Sequence, residues 1–244
     1  MDGIGSISGA VIALLLFPIM GFQNIFLIAF IPGAIAVLLI LFIREKHQKK
    51  HEIHAKKFTF KTSLKSLPSN LKLFILVSSI FTFGHFGYAF ILLRASNIGL
   101  EFNTAIFLYV LFYTIYTIFI IPASILSDKI GRKPVIVTGY ILFGVTSIGL
   151  FFTNNYSMIL IMFVIYGIFY AFIDGVQRAF VVDLAPPDLK ATALGTFHTA
   201  IGIVALPGGL ILGLIWDAVS PEIMFIYASI LALFSISLFG FIKN

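Results

Sequence analysis

Long apolar runs recur along the whole chain, each near the roughly 20 residues a helix needs to cross the hydrocarbon of a bilayer. That feature limits the fold more than any other. In hydrocarbon every backbone N–H and C=O must find its partner inside the protein, so only helices and closed barrels span. Barrel strands alternate apolar and polar residues. These runs are continuous, so the spans are helices. Composition agrees: 60% of residues are hydrophobic and 11% are charged, against about 45–50% and about 25% in soluble domains. A soluble fold is excluded.

Polar or glycine and proline breaks divide the chain into eight expected spans: 3–20, 25–43, 72–95, 103–126, 134–152, 157–182, 191–215 and 222–242. The loops between them alternate in charge. Arg44 to Lys72 carries nine Lys/Arg, and Lys129, Arg132, Lys133, Lys190 and Lys243 fall on the same side. The loops 21–24, 96–102, 153–156 and 217–221 hold no Lys or Arg. Fourteen of the sixteen cations therefore share one side, and Arg94 and Arg178 are the exceptions. The positive-inside rule makes that side cytoplasmic and puts both termini there, in a plasma (cytoplasmic) membrane. The net charge of +6 thus reflects loop topology rather than nucleic-acid binding. The start, Met1 to Gly5, has no basic n-region and does not read as a signal peptide.

One long basic segment, 44–71, interrupts the pattern. Phe58, Phe60, Leu64 and Leu67 alternate with Lys61 and Lys65, which suits a short helix on the membrane surface. His47, His51 and His54 have helical spacing, but a solvated segment explains them better than a metal site. The chain has no cysteine, which excludes disulfides and cysteine nucleophiles. Phosphate-binding loops, zinc-protease motifs and paired catalytic carboxylates are absent, so neither an enzyme nor a cofactor is expected.

The polar turn within Pro122–Val137 holds Asp128, Lys129, Gly131, Arg132 and Lys133 between two apolar spans. Gly131 permits a tight turn. Asp128 can meet a helix N-terminus, that of the first span, where the dipole favours an anion. Arg132 can pair with a carboxylate at another helix end, Asp183 above all. Together they form a latch that holds one side shut; the plain alternative is an ordinary turn obeying the charge rule.

Leu126, Asp128, Gly131, Arg132, Lys133 and Ile136 resemble, in register, the loop signature of the major facilitator superfamily. Ser124 stands where that signature begins with glycine. The runs Asp2 to Gly9 and Asp174 to Gly195 also resemble uncharacterised prokaryotic members of that family. The resemblance implies that the eight spans are helices five to twelve of a twelve-helix transporter. On that reading 1–43 ends the N-terminal half, 44–71 is a basic cytoplasmic linker, and 72–244 is a complete C-terminal six-helix half. Helices one to four would then be missing, or supplied by another chain. An internal echo fits: shifting 25–43 by 199 onto 224–242 matches six of nineteen positions.

Several side chains stand out inside the spans. Asp174 and Arg178 are four apart, acid first, which allows a helical ion pair. Charge at membrane depth faces protein or water, so the pair belongs to a solute or proton pathway or pins neighbouring helices. Gln177 adds a polar neighbour. His85 sits mid-span, where it can relay a proton or bond a neighbouring helix as neutral imidazole. Tyr88 and Tyr113 give aromatic walls polar tips. Arg94 reads as a snorkelling residue at a span end. Gly5 and Gly9, and Gly209 and Gly213, suit close helix contact.

The expected function is secondary transport of a small solute by alternating access, coupled to protons through Asp174 and His85 and directed to efflux. A truncated, non-transporting scaffold or partner subunit is the alternative.

Overall fold

The computed structural model describes residues 2–41, 64, 66–100 and 102–242, and all regular structure among them is helical. Among the described residues, six helical segments are long and apolar enough to cross a membrane: 69–97, 104–130, 132–151, 156–184, 190–218 and 221–239. The chain is a multi-pass membrane protein. Most of segment 44–71, including His47, His51 and His54 and the expected surface helix, lies outside the described residues.

The first two expected spans merge into one long helix, α1 (Asp2–Leu41), interrupted at Gly21. Gly21 has φ 70°, a conformation that only glycine adopts without strain, and it separates two helical stretches. The second, Gln23–Leu39, is apolar but shorter than the six spans. α1 packs on α4 (Phe102–Ile130) at the rim of the bundle. Its Ile19, Leu27 and Phe30 are exposed, as expected of a lipid-facing or partner-facing surface.

The expected span 72–95 is broken. α2 (Ser69–Gly84) ends at His85, and α3 (Tyr88–Asn97) starts after Gly87. The break frees the carbonyl of Phe86, and the Tyr166 hydroxyl donates to it at 2.7 Å. Tyr166 is buried, so this bond satisfies in the interior what the helix no longer does. In sequence only Gly84 and Gly87 flank the site; the acceptable break depends on Tyr166, which lies 80 residues downstream.

The remaining helices are α5 (Arg132–Phe151), α6 (Tyr156–Leu184), α7 (Lys190–Ala218) and α8 (Pro221–Phe239). Asn155 caps α6 by accepting from the Met158 amide at 2.9 Å, and Ser220 caps α8 by accepting from Ile223 at 3.2 Å. Pro221 follows that cap at the first helical position, where its missing N–H has no cost. α5 packs against α6 and α8, α4 against α6, and α2 between α7 and α8.

Aromatic rings fill the core. Phe81 stacks on Tyr140 with centroids 3.8 Å apart, Phe74 meets Phe180 edge-on at 4.8 Å, and Phe86 packs on Phe143 at 4.8 Å. In a bilayer such packing matters through van der Waals contact, since lipid removes the hydrophobic gain between helices. Where rings leave no room, glycine lets backbones approach. A Cβ on Gly208 of α7 would lie 2.8 Å from the Phe83 carbonyl oxygen of α2.

Candidate functional site

Among the described residues, polar side chains gather at the Gly131 turn and within the membrane-spanning segments.

At the turn, Gly131 has φ 94° and joins α4 to α5 without an intervening loop. This geometry swings Arg132 back over α4. Its Nη1 donates to Ser127 Oγ at 2.5 Å and pairs with Asp128 Oδ1 at 2.5 Å. Its Nε reaches Asp183 Oδ2 at 3.3 Å. Arg132 therefore ties the end of α4, the start of α5 and the end of α6. Lys133 Nζ donates to the Ile242 carbonyl at 2.7 Å, just beyond the end of α8. A cavity of about 420 Å³ opens beside this cluster. Both carboxylates are more than half exposed, so each pair alone holds weakly. The start of the first span, expected opposite Asp128, begins among residues whose side chains lie outside the description.

Deeper in the bundle, α6 presents Tyr166, Tyr170, Asp174, Gln177 and Arg178 at three- and four-residue spacing, which places them along one face. Asp174 Oδ1 accepts from Arg178 Nη2 at 2.5 Å, and Oδ2 accepts from the Tyr116 hydroxyl of α4 at 2.8 Å. Arg178 Nε also donates to the Asp174 carbonyl at 2.9 Å. Gln177 Nε2 donates to the Tyr140 hydroxyl of α5 at 2.9 Å. The sequence pairs Asp174 with Arg178 by spacing alone; Tyr116 and Tyr140 join only because α4 and α5 both pack on α6.

These groups open on a cavity of about 420 Å³ between α2, α6 and α7. Phe81, Thr82 and His85 come from α2 and its end, Phe169 to Arg178 from α6, and Phe197, His198, Ile201 and Ala205 from α7. The size lies within the roughly 300–1,000 Å³ usual for small-molecule sites. His85 sits at the α2 break, 3.3 Å from the Tyr166 hydroxyl, with its ring among Phe81, Phe143 and Phe169. So His85, Asp174, Gln177 and Arg178 meet in one place.

Tyr88 and Tyr113 do not line that cavity. They pack with Tyr109 and Phe112 near the start of α3, with Tyr109 4.8 Å from Tyr113 and 5.2 Å from Tyr88. Tyr113 meets Tyr116, and Tyr116 meets Tyr170, so an aromatic series leads from this cluster to Asp174. Sequence reasoning missed His198. Its signal was modest: one histidine, at helical spacing from Gly195 and Ile201, in an otherwise apolar span.

Arg94 differs from expectation. It does not snorkel, being only 6% exposed. Nη1 donates to Glu222 Oε1 at 2.5 Å and Nη2 to the Thr153 carbonyl at 3.0 Å. A guanidinium with two protein acceptors gains more from the bundle than from reaching for water. It joins the end of α3, the α5–α6 turn and the start of α8, at the opposite end from Gly131.

The major facilitator superfamily model matches residues 73–243, which covers α2 to α8. An uncharacterised MFS-type transporter of Methanocaldococcus jannaschii is 41% identical over 96% of this chain and 60% of its own length. The cis,cis-muconate transport protein of Acinetobacter baylyi is 28% identical over 87% of the chain and 57% of its own length. A multi-drug resistance efflux pump of Streptococcus pneumoniae is 30% identical over 50% of the chain and 30% of its own length. The chain thus spans about 60% of the length of the first relatives it matches. With the match over seven consecutive helices and the Asp128–Lys133 turn in place, the chain belongs to the major facilitator superfamily.

Proposed function

We propose that the chain forms part of a secondary transporter that moves a small solute by alternating access, coupled to protons and directed to export. The Asp174 cluster carries this reading. It places an ion pair and two partner hydroxyls within helices long enough to span, beside a cavity of solute size. Ionisable groups at that depth are expensive and persist where they serve a pathway. Asp174 is the proton acceptor, with His85 on the same pathway across the cavity. The efflux pump among the relatives favours export. The described sequence carries no nucleotide-binding motif, so the drive we propose is an ion gradient, with the solute gradient itself as the alternative; no enzymatic step is proposed.

On this reading the eight expected spans are helices five to twelve of the family fold. α1 supplies the first two as its halves on either side of Gly21. Residues 44–71 are the cytoplasmic linker, and 72–244 the C-terminal half. The excess of cations on the Gly131 side puts that face and both termini in the cytoplasm, in a plasma membrane.

The test is proton movement. The protein, in proteoliposomes loaded with a pH-sensitive dye, is exposed to a panel of aromatic anions, cations and neutral solutes. At least one class should drive proton flux, and Asp174→Asn should abolish the flux while leaving the protein folded. Flux that survives Asp174→Asn would sink the role of Asp174, and silence across the panel would sink coupled transport.

A further inference from the structure

The cavity between α2, α6 and α7 carries charge of both signs, yet the two are not equally available. Both oxygens of Asp174 already accept strong bonds, one from Arg178 and one from Tyr116. An approaching cation would find that carboxylate neutralised. Arg178 is placed differently. Its Nε and Nη2 are spent on the backbone and side chain of Asp174, while Nη1 has no protein partner among the described residues. Its side chain is 50% exposed, and it lines the cavity. The outer edge of the guanidinium, Nη1 and the second hydrogen of Nη2, is therefore free to donate.

The rest of the lining has the same bias. Gln177 uses one amide hydrogen on Tyr140 and keeps another. Thr82 and His198 add a hydroxyl and an imidazole on the facing walls. Phe81, Phe169 and Phe197 make part of its wall apolar, though each ring is largely packed into the bundle. A donor edge with fork geometry suits a carboxylate, which can take two parallel bonds from it. An aromatic-lined apolar wall suits an aromatic body attached to that carboxylate.

We propose that this cavity binds an aromatic carboxylate, its anionic group on the free edge of Arg178 and its ring against the apolar wall to which Phe81, Phe169 and Phe197 contribute. In its ionised form Asp174 is also a positioning residue: it holds the guanidinium in place and blunts the field that would otherwise attract cations. The inference rests on the reading of this cavity as the solute site and is independent of the direction of transport.

The experiment is equilibrium binding of a matched pair of probes, 2-naphthoate and 2-naphthyltrimethylammonium, to the full protein in nanodiscs. Wild type should prefer 2-naphthoate. Arg178→Gln should weaken 2-naphthoate by about tenfold or more, the scale of one lost charge-assisted contact. The same change uncovers Asp174 and should raise affinity for the cation, a reversal that general damage cannot produce. Asp174→Asn should tighten 2-naphthoate. If Arg178→Gln loses both probes by misfolding, Asp174→Asn decides alone, and unchanged or weaker anion binding overturns the inference. A wild type that prefers the cation overturns the inference but leaves the cavity as the solute site. Failure of both probes to bind overturns the inference and, together with a silent proton-flux panel, the reading of the site itself.

Discussion

Arg94 Nη1 donates to Glu222 Oε1 at 2.5 Å, joining the end of α3 to the first turn of α8 across 128 residues of sequence. The guanidinium is buried, while the carboxylate is about one-third exposed. Removing the carboxylate strands a buried charge on a single carbonyl acceptor. Glu222→Ala should therefore cost about 2–3 kcal/mol, below the full loss of a wholly buried pair because one partner meets solvent. Thermal unfolding in detergent, followed by intrinsic fluorescence, should show a clearly lower Tm, while Glu222→Asp recovers part of it.

Gly208 faces the backbone of Phe83, so a side chain there has nowhere to go. Gly208→Ala would put its Cβ 2.8 Å from a carbonyl oxygen that belongs to α2 and cannot rotate away. The strain should be on the order of 1–3 kcal/mol. Gly209 next to it has open space around its Cβ position. Gly209→Ala should leave the Tm unchanged or slightly raised, as alanine is the better helix former. Equal effects of the two changes would refute the close crossing of α2 and α7.

Gly131 sets the turn that brings Arg132 over α4. At φ 94° and ψ 157° any other residue is strained, by on the order of 1–3 kcal/mol. Gly131→Ala should thus lower stability modestly and transport more, because it moves Arg132 away from Ser127, Asp128 and Asp183. A solute-flux assay beside a melting curve separates the two effects.

The Arg132 cluster itself should contribute little to stability. Each of its exposed pairs is worth about 0.2–1 kcal/mol. Arg132→Gln is expected to shift the melting point slightly but to change which side of the protein is open. The chain has no cysteine, so single cysteines introduced near Phe180 or Leu184 can report accessibility to a polar thiol reagent. Arg132→Gln and Asp183→Asn should raise labelling alike. Unaltered labelling in both would show that the cluster is an ordinary turn.

Much of the fold could be read from the chain in order. Continuous apolar runs dictate helices because hydrocarbon offers no other partner for the backbone, and charge spacing divides them. The Asp174–Arg178 pair follows from helical geometry, and Asp183 as the partner of Arg132 follows from both lying at helix ends on the same charged side. Two places were harder. Gly21 allows residues 2–41 to form either one bent helix or two, and sequence hydropathy does not distinguish them. His85–Gly87 looks like the middle of one span, since what permits the break is a hydroxyl on another helix.

By itself, then, the sequence determined that this protein spans a membrane as helices, where the polar turn lies and which charges share a helix face. These are local properties, set by the backbone's need for partners and by a period of about 3.6 residues. Only the tertiary structure decided which hydroxyls satisfy Asp174, that Arg178 keeps a free donor edge beside phenylalanine walls, and that Arg94 is buried rather than snorkelling. Each depends on residues from different helices meeting at one depth. Helix-to-helix register of that kind is fixed by packing of rings and glycines across the whole bundle.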